Sequence, residues 1–326
     1  MEYLPLVSII CTAYNHETFI KDALESFIMQ KTNFQFEIIV SDDASTDMTA
    51  SIIKQYEINH TQLFKTFYHK ENQYSRNIPF FYDELIKNAR GKYIAICEGD
   101  DYWTDPLKLQ RQVDFLEKNT NYGLVYTQAK VYQERNHKFL SILIGENVEG
   151  FENLILKNTI PTLTVLFRSE ILNQYNMFIA SLNDLNLEMG DYQLWLYISA
   201  ITQIKFLPFS TAVYRLNEES VSQSKNPQKT LDFLKSTFEI QKYFIKKFGV
   251  SNRIYQIIEN NYFKTSIYYA LLAKETESIE KAKFHIKKQK LRLPLIFIFL
   301  IQVFIKSNLI SWQFNKLLLN SWSSKL

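Results

Sequence analysis

Between Leu6 and Leu116 strand and helix signals alternate four times, and this alternation restricts the fold more than any other feature of the chain. Leu6–Cys11, Phe36–Val40 and Tyr93–Cys97 are apolar without a period of two, the mark of strands buried on both faces. Leu63–Tyr68 is a further strand signal. A helix over Glu17–Gln30 places Ile20, Ala23, Leu24, Phe27 and Ile28 on one face. Thr46 or Asp47 caps the next helix, which carries Ile52, Ile53 and Tyr56. Pro79–Asn88 is helical and stops before Gly91. Asp105-Pro106 opens a fourth helix with Leu109, Val113 and Leu116 on its buried side. Repeated β-α-β of this kind implies an α/β fold, a parallel sheet with helices on both faces. Ligands of such sheets sit beyond the carboxyl ends of the strands. Three polar clusters fall there: Thr12–Asn15, Ser41–Asp43 and Glu98–Asp101.

Later residues are less regular. Thr162–Arg168 reads as a strand, Asp191–Ile201 as a helix, and Ile204–Leu207 and Thr211–Arg215 as short strands. From Pro227 onward the pattern is helical, with Phe238, Ile245, Tyr255, Ile258, Tyr262 and Ile267 at apolar positions.

Composition excludes several classes. With 46% hydrophobic and 15% aromatic residues the chain can fill a sizeable core and is not disordered. Seven glycines in 326 residues, with neither GxGxxG nor GxxxxGK[ST], remove the sequence support for a dinucleotide fingerprint or a P-loop. Cys11 and Cys97 lie in apolar runs and read as reduced, buried thiols of a cytoplasmic protein. The N-terminus lacks a basic region ahead of an apolar core, and no run reaches the ~18 apolar residues of a membrane span. The five histidines show no metal-binding spacing, and the G-x-S-x-G elbow of a hydrolase is absent.

Each candidate functional residue has two readings. Asp42 and Asp43 could accept from ribose hydroxyls or a base edge, or could cap the following helix. Glu98-Gly99-Asp100-Asp101 could hold Mg²⁺ or Mn²⁺ through hard oxygens and so stabilise a departing diphosphate, or could be a solvated acidic turn. Asp191 could be a general base or the N-cap of an apolar helix. Arg76 could bind a diphosphate bidentately, as could Arg215 near Ser220 and Ser222, or both could be ordinary loop residues.

Taken in order, VSIICTAYNHETFIKDALESFIMQ (Val7–Gln30), FEIIVSDDASTD (Phe36–Asp47), GKYIAICEGDDYWTDPLKLQRQVDFL (Gly91–Leu116) and EMGDYQLWL (Glu188–Leu196) resemble the inverting family 2 glycosyltransferases. The resemblance implies a GT-A fold: a Rossmann-like, mostly parallel sheet with a C-terminal helical extension. The catalytic domain would be 1–225, with a nucleotide-sugar-binding half at 1–120 and an acceptor half at 121–225, and the helical region 226–326. Thr12 and Tyr14 would line the nucleotide pocket, Asp43 with Asp42 would bind the base or ribose, and Arg76 would approach the diphosphate. Asp100 and Asp101 would hold Mn²⁺ or Mg²⁺, with Asp100 also facing the donor and Glu98, where the family has Asp, behind them. Asp191 matches the catalytic base. The implied reaction moves a sugar from a nucleoside-diphosphate sugar, a UDP-sugar by preference, to a hydroxyl of a glycan or lipid-linked acceptor with inversion, in capsule, lipopolysaccharide or similar surface-polysaccharide biosynthesis. Rival readings are a nucleotidyltransferase acting on a sugar phosphate and a non-catalytic sugar-binding module.

Charge is unevenly spread. Lys281–Leu326 holds nine Lys or Arg and no acid, so the first 280 residues stand at −6 although the whole chain is +3. Six of the nine lie in Lys281–Arg292, just before the apolar run Leu293–Ile305, and Trp312 and Trp322 follow. A segment of this kind suits peripheral contact with an anionic membrane on the inner face, or else a cap on the core or a homo-oligomer interface. Its basic residues are not interleaved with aromatics, which argues against nucleic acid.

Overall fold

The computed structural model describes residues 4–73, 81–179, 190–217 and 226–289. Arg76, Glu188, Ser220, Ser222 and the apolar part of the tail lie outside the described residues. The chain divides into two compact units, Met1–Gln223 with Ile240–Val250, and Ser224–Glu239 with Ser251–Leu326.

In the first unit the expected alternation is present as β1 (Val7–Ala13), α1 (Ile20–Ile28), β2 (Phe36–Asp42), α2 (Thr49–Asn59), β3 (Phe64–Tyr68), α3 (Phe81–Asn88) and β4 (Tyr93–Ile96). There follow β5 (Tyr102–Trp103), α4 (Lys108–Lys118), β6 (Tyr122–Gln133), β7 (Lys138–Ile144), α5 (Gly150–Leu156), β8 (Leu166–Arg168), α6 (Ile171–Ile179), α7 (Gly190–Ile201) and β9 (Gln203–Leu216). The sheet order is β3-β2-β1-β4-β8-β6-β9-β5, with β7 added on β6. β1, β2, β3 and β4 pair in parallel, as do β6 and β9, while β8 and β5 run antiparallel to their neighbours. The result is the mostly parallel α/β architecture implied by the alternation. Every residue of β1 and β4 is buried, which is why these segments read as unbroken apolar runs. Ile9, Cys11, Ile38, Val40, Tyr93 and Cys97 share one core with Leu24 and Phe27 of α1 and Leu109 and Val113 of α4. Both cysteines are free and buried, and burial pushes their thiols well above the ordinary range.

Four local features differ from the sequence expectation. Asp105 caps one turn before α4: its Oδ1 accepts from Leu107 N at 2.9 Å and its Oδ2 pairs with Arg111 at 2.7 Å. Within Thr162–Arg168 only the last three residues form a strand. Thr162–Thr164 is a 3-10 turn, closed by Thr164 Oγ1 donating to Pro161 O at 2.8 Å. The two expected strands after Ile204 are one 14-residue strand, β9, whose register shifts against β6 absorb the Pro208-Phe209-Ser210 stretch between them. The long β6 and the β6–β7 hairpin carry no clean alternation and are absent from the sequence reading.

In the second unit α9 (Asn252–Ala273) and α10 (Thr276–Lys288) pack through Ile267, Leu271 and Ala282. The N-terminal part of α8 (Pro227–Phe248) belongs here too, and Phe238 stacks on Tyr262 at 4.0 Å. Ser251 and Glu275 cap α9 and α10. Lys274 in the left-handed region ends α9. Among the described residues no helix is long and apolar enough to cross a membrane.

Candidate active site

The carboxyl end of β1 gathers the three polar clusters by backbone hydrogen bonds. Asp43 N donates to Ala13 O and Gly99 N to Thr12 O, both at 2.8 Å. The first two βα loops are also laced together. Asn15 N donates to Ser45 Oγ at 2.9 Å, His16 N to Thr49 Oγ1 at 2.8 Å, and Met48 N to Glu17 Oε2 at 2.9 Å. The N-cap of α2 is Met48 rather than Thr46 or Asp47; Asp47, just before it, accepts from Thr49 N at 2.9 Å and from Glu17 N at 3.0 Å. Asn15 and Ala44 hold positive φ, so both loops turn sharply at the strand ends.

Thr12 is buried at this end, whereas the Tyr14 ring is exposed. Asp42 and Asp43 are both buried, and their roles differ. Asp43 Oδ1 accepts from Gln73 N at 2.6 Å, closing the loop after β3. Asp42 Oδ2 accepts from Ser45 N at 3.1 Å, while its Oδ1 is buried with no hydrogen-bond partner among the described residues. A buried carboxylate oxygen without a donor is costly, and a ligand hydroxyl or N–H would relieve it.

The acidic turn packs against the same loops. A side chain on Gly99 would meet Ile20 Cδ1 at 2.8 Å, His16 Nδ1 at 3.0 Å and Ala13 Cβ at 3.1 Å, so any Cβ here must push its neighbours aside. Burial, with the charges of Asp100 and Asp191, pushes the Glu98 carboxyl up to about 8. Burial also raises Asp101 well above the carboxylate range, with Asp100 and Glu98 adding to the shift, although Arg215 N donates to its Oδ1 at 2.8 Å. Asp100 is half-buried, and its Oδ2 accepts from Asn217 Nδ2 at 3.3 Å. Burial is the first cause of both raised proton affinities, and the mutual repulsion of the turn's acids adds to it. Among the described residues no three His, Cys, Asp or Glu side chains converge as a metal set. A cation at Asp100 and Asp101 would therefore need further oxygens from substrate phosphate or water, the ordinary coordination mode of Mg²⁺ and Mn²⁺.

Arg215 plays a part that local sequence does not reveal. Its buried guanidinium forms an ion pair with Asp22 of α1, approaches Glu134 Oε1 at 2.9 Å, and donates to Asp100 O at 3.0 Å. It lies 4.5 Å from the Tyr102 ring and 5.2 Å from Phe19. Its donors thus hold the acidic turn rather than standing open toward a diphosphate. Every partner is distant in sequence, so no motif signalled them.

Asp191 sits in the first turn of α7, where the helix N-terminus favours a carboxylate. Thr162 Oγ1 donates to its Oδ2 at 2.7 Å, and Oδ1 accepts from Tyr192 N at 2.7 Å. It raises the proton affinity of Glu98, so its charge reaches the acidic turn. Thr162 was also missed. Its segment is fixed from behind by Trp103 Nε1 donating to Leu163 O and Gln112 Nε2 to Thr164 O, each at 2.8 Å.

The sheet order and the acidic groups at its strand ends define a GT-A-type α/β domain. The family described as Glycosyl transferase family 2 matches residues 8–177, and the chain belongs to that family. An uncharacterized protein of Mycobacterium tuberculosis is 32% identical over 222 residues, covering 67% of this chain and 61% of the relative's own length. The Escherichia coli UDP-Glc:alpha-D-GlcNAc-diphosphoundecaprenol beta-1,3-glucosyltransferase WfgD is 27% identical over 68% of this chain and 81% of its own. Among solved structures, S. aureus TarS 1–349 with UDP-GlcNAc has a TM-score of 0.59 at 20% identity, covering 82% of this chain and 76% of TarS. The mannosyltransferase PcManGT from Pyrobaculum calidifontis with GDP-Man and Mn²⁺ has a TM-score of 0.56 at 16% identity, covering 92% and 80%. Both structures share the fold.

Proposed function

We propose that the protein transfers a sugar from a nucleoside-diphosphate sugar, with UDP as the favoured carrier, to a hydroxyl of a glycan or lipid-linked acceptor during surface-polysaccharide synthesis. The anomeric configuration inverts. The observation that carries this reading is Asp191: Thr162 orients it within electrostatic range of an acidic turn some ninety residues away in sequence. Residues 1–225 are the catalytic domain, with the donor on 1–120 and the acceptor on 121–225; 226–326 is an appended helical region whose basic tail, 281–326, touches the inner face of the membrane.

Thr12, Tyr14, Asp42 and Asp43 hold the base and ribose, and the unpartnered Asp42 Oδ1 supports a polar ligand at that position. Asp100 and Asp101 hold Mn²⁺ or Mg²⁺, which supplies charge neutralisation at the diphosphate; Arg76 assists. Asp191 removes the proton from the acceptor hydroxyl as that oxygen attacks the anomeric carbon from the face opposite the leaving diphosphate. The bond to the diphosphate oxygen breaks as the new glycosidic bond forms.

The test combines donor binding and product stereochemistry. A screen of UDP-, GDP- and CMP-sugars with and without Mn²⁺ should raise the unfolding temperature for one donor class in a metal-dependent way. The anomeric proton coupling of the product should report inversion. Asp191→Asn should reduce transfer roughly 10²–10⁴-fold while leaving donor binding intact. A flat thermal response to every nucleotide, or full activity in Asp191→Asn, refutes the reading.

A further inference from the structure

The β6–β7 hairpin stands off the main path of the sheet. β7 pairs with β6 alone, on the flank that β8 leaves free after three residues, so it is a sheet edge. Its residues are exposed or half-exposed along the whole strand. Phe139, Ile142 and Leu143 stand about half open to solvent, at 53%, 54% and 50%. Successive strand residues point to opposite faces, so Phe139 and Leu143 occupy one face and Ile142 the other. Phe139 meets the Tyr132 ring at 5.0 Å and Ile144 reaches the core, while the side chains of Ile142 and Leu143 stay about half open among the described residues. Single exposed hydrophobics need no explanation, whereas three on one seven-residue edge strand mark a contact surface.

The charges around this patch identify the partner. Lys130 lies directly across from Leu143 in the register, Lys138 opens β7, and Arg135 is in the connecting turn; all three are exposed. The carboxylates of the same stretch are occupied elsewhere, Glu134 with Arg215 and Glu146 with Lys157 at 3.0 Å. An apolar strand framed by cations, with its acids turned to other partners, is complementary to an anionic bilayer interface, where chains receive the hydrophobes and headgroups the lysines. A second copy of the chain, adding a strand at the free edge, would cover the backbone but leave two apolar faces and the lysines unsatisfied.

We propose that the β6–β7 hairpin is an interfacial anchor that docks the catalytic domain on an anionic lipid surface. The hairpin also adjoins the acidic turn. Tyr132 is paired in register with Arg215, the residue that holds Asp100, and Glu134 binds the same guanidinium. Docking there would bring the lipid surface to the rim of the candidate active site, a suitable arrangement if the acceptor is lipid-linked. The binding itself does not rest on the proposed reaction.

Ser141 is exposed on the strand, and the two native cysteines are buried, so Ser141→Cys gives one accessible thiol for an environment-sensitive fluorophore. Because the label reports from the hairpin, it separates this contact from any made by residues 281–326. In the full-length protein, vesicles of 30% phosphatidylglycerol in phosphatidylcholine should blue-shift and brighten the label. Pure phosphatidylcholine should do so much less, and 1 M salt should weaken the effect. Ile142→Ser with Leu143→Ser, checked for an unchanged unfolding temperature and nucleotide binding, should raise the lipid concentration at half-saturation at least about tenfold. No spectral change with either vesicle overturns the proposal. So does a change that follows protein concentration without lipid, which would assign the edge to a second copy. Nucleotide binding that is lost while the lipid response persists would refute the proposed function and leave this inference standing.

Discussion

Replacing Lys108 should change the way stability depends on pH. The side chain is fully buried at the start of α4, 4.1 Å from the Trp103 ring, and Nζ donates to Gln112 Oε1 at 2.8 Å. Burial lowers its pKa from 10.5 to about 7, although Cys97 and Asp105 act in the opposite direction. Below pH 7 the native and unfolded chains both hold this proton. Between 7 and 10.5 the native chain releases it and the unfolded chain keeps it, so stability rises with pH across that interval. Integrated from pH 7 to pH 9, a group with these two pKa values contributes about 2 kcal/mol.

Glu98 runs the other way. Its native pKa of about 8 lies above the ordinary 4.5, so its contribution is complete below 4.5 and is lost as pH climbs through 8. Both effects overlap near pH 7–8, and comparison with Lys108→Met removes the Glu98 part. Urea unfolding of both proteins at pH 7, 8 and 9, in chelator, gives the difference directly. The wild type should gain about 2 kcal/mol relative to Lys108→Met between the first and last points. The unfolded-state thiols of Cys11 and Cys97, with an ordinary value of 9.0, also titrate toward the top of this range, but they do so in both proteins and cancel in the comparison. Parallel curves would mean that Lys108 keeps its proton in the fold, sustained by Gln112 and Trp103, and the argument from burial would fail.

Two further substitutions probe the site. Thr162→Val removes the hydroxyl that donates to Asp191; a hydrogen bond to a charged group is worth ~1.5–3 kcal/mol, so kcat should fall roughly 10–100-fold with donor affinity unchanged, and Thr162→Ser should restore most of it. A drop in donor affinity equal to the drop in kcat would show that Thr162 supports the donor site instead. Gly99→Ala forces a methyl group against Ile20 and His16 and should cost about 1–3 kcal/mol in urea unfolding while weakening metal-dependent nucleotide binding, because the acidic turn must lift from β1; an unchanged midpoint would disprove the close packing.

What could be seen in the sequence follows from the range of the forces involved. β1, β2 and β4 were legible because burial on both faces leaves an unmistakable apolar run, and their polar ends were legible because parallel sheets put ligands there. Thr162 was hidden because Pro161 bends a segment whose apolar content reads as strand, turning a threonine toward a helix 29 residues later. The β6–β7 hairpin was hidden because an exposed edge has no core face to impose a period of two. Arg215 was legible as a cation near the site, but its partners come from residues 22, 100, 101 and 134 and cannot be inferred from spacing.

Those partners also explain why two neighbouring aspartates of one turn are unequal. Asp101 is enclosed, with an oxygen committed to the β9 backbone at Arg215, so its geometry is set by the sheet. Asp100 is held through its carbonyl, leaving its carboxylate half-buried with a long contact to Asn217 at 3.3 Å. The fold therefore fixes the backbone of the turn while leaving one acidic group to respond to what arrives. Different environments commonly divide paired carboxylates between two roles. Here the division comes from one arginine whose own charge is balanced by Asp22 and Glu134, away from the turn's carboxylates. Had Arg215 paired with those carboxylates directly, it would compete with a cation for their oxygens. Because Arg215 grips the backbone and gives its ion pairs elsewhere, the turn is held in place without a direct ion pair to its carboxylates, which is what the proposed metal-assisted donor site would require.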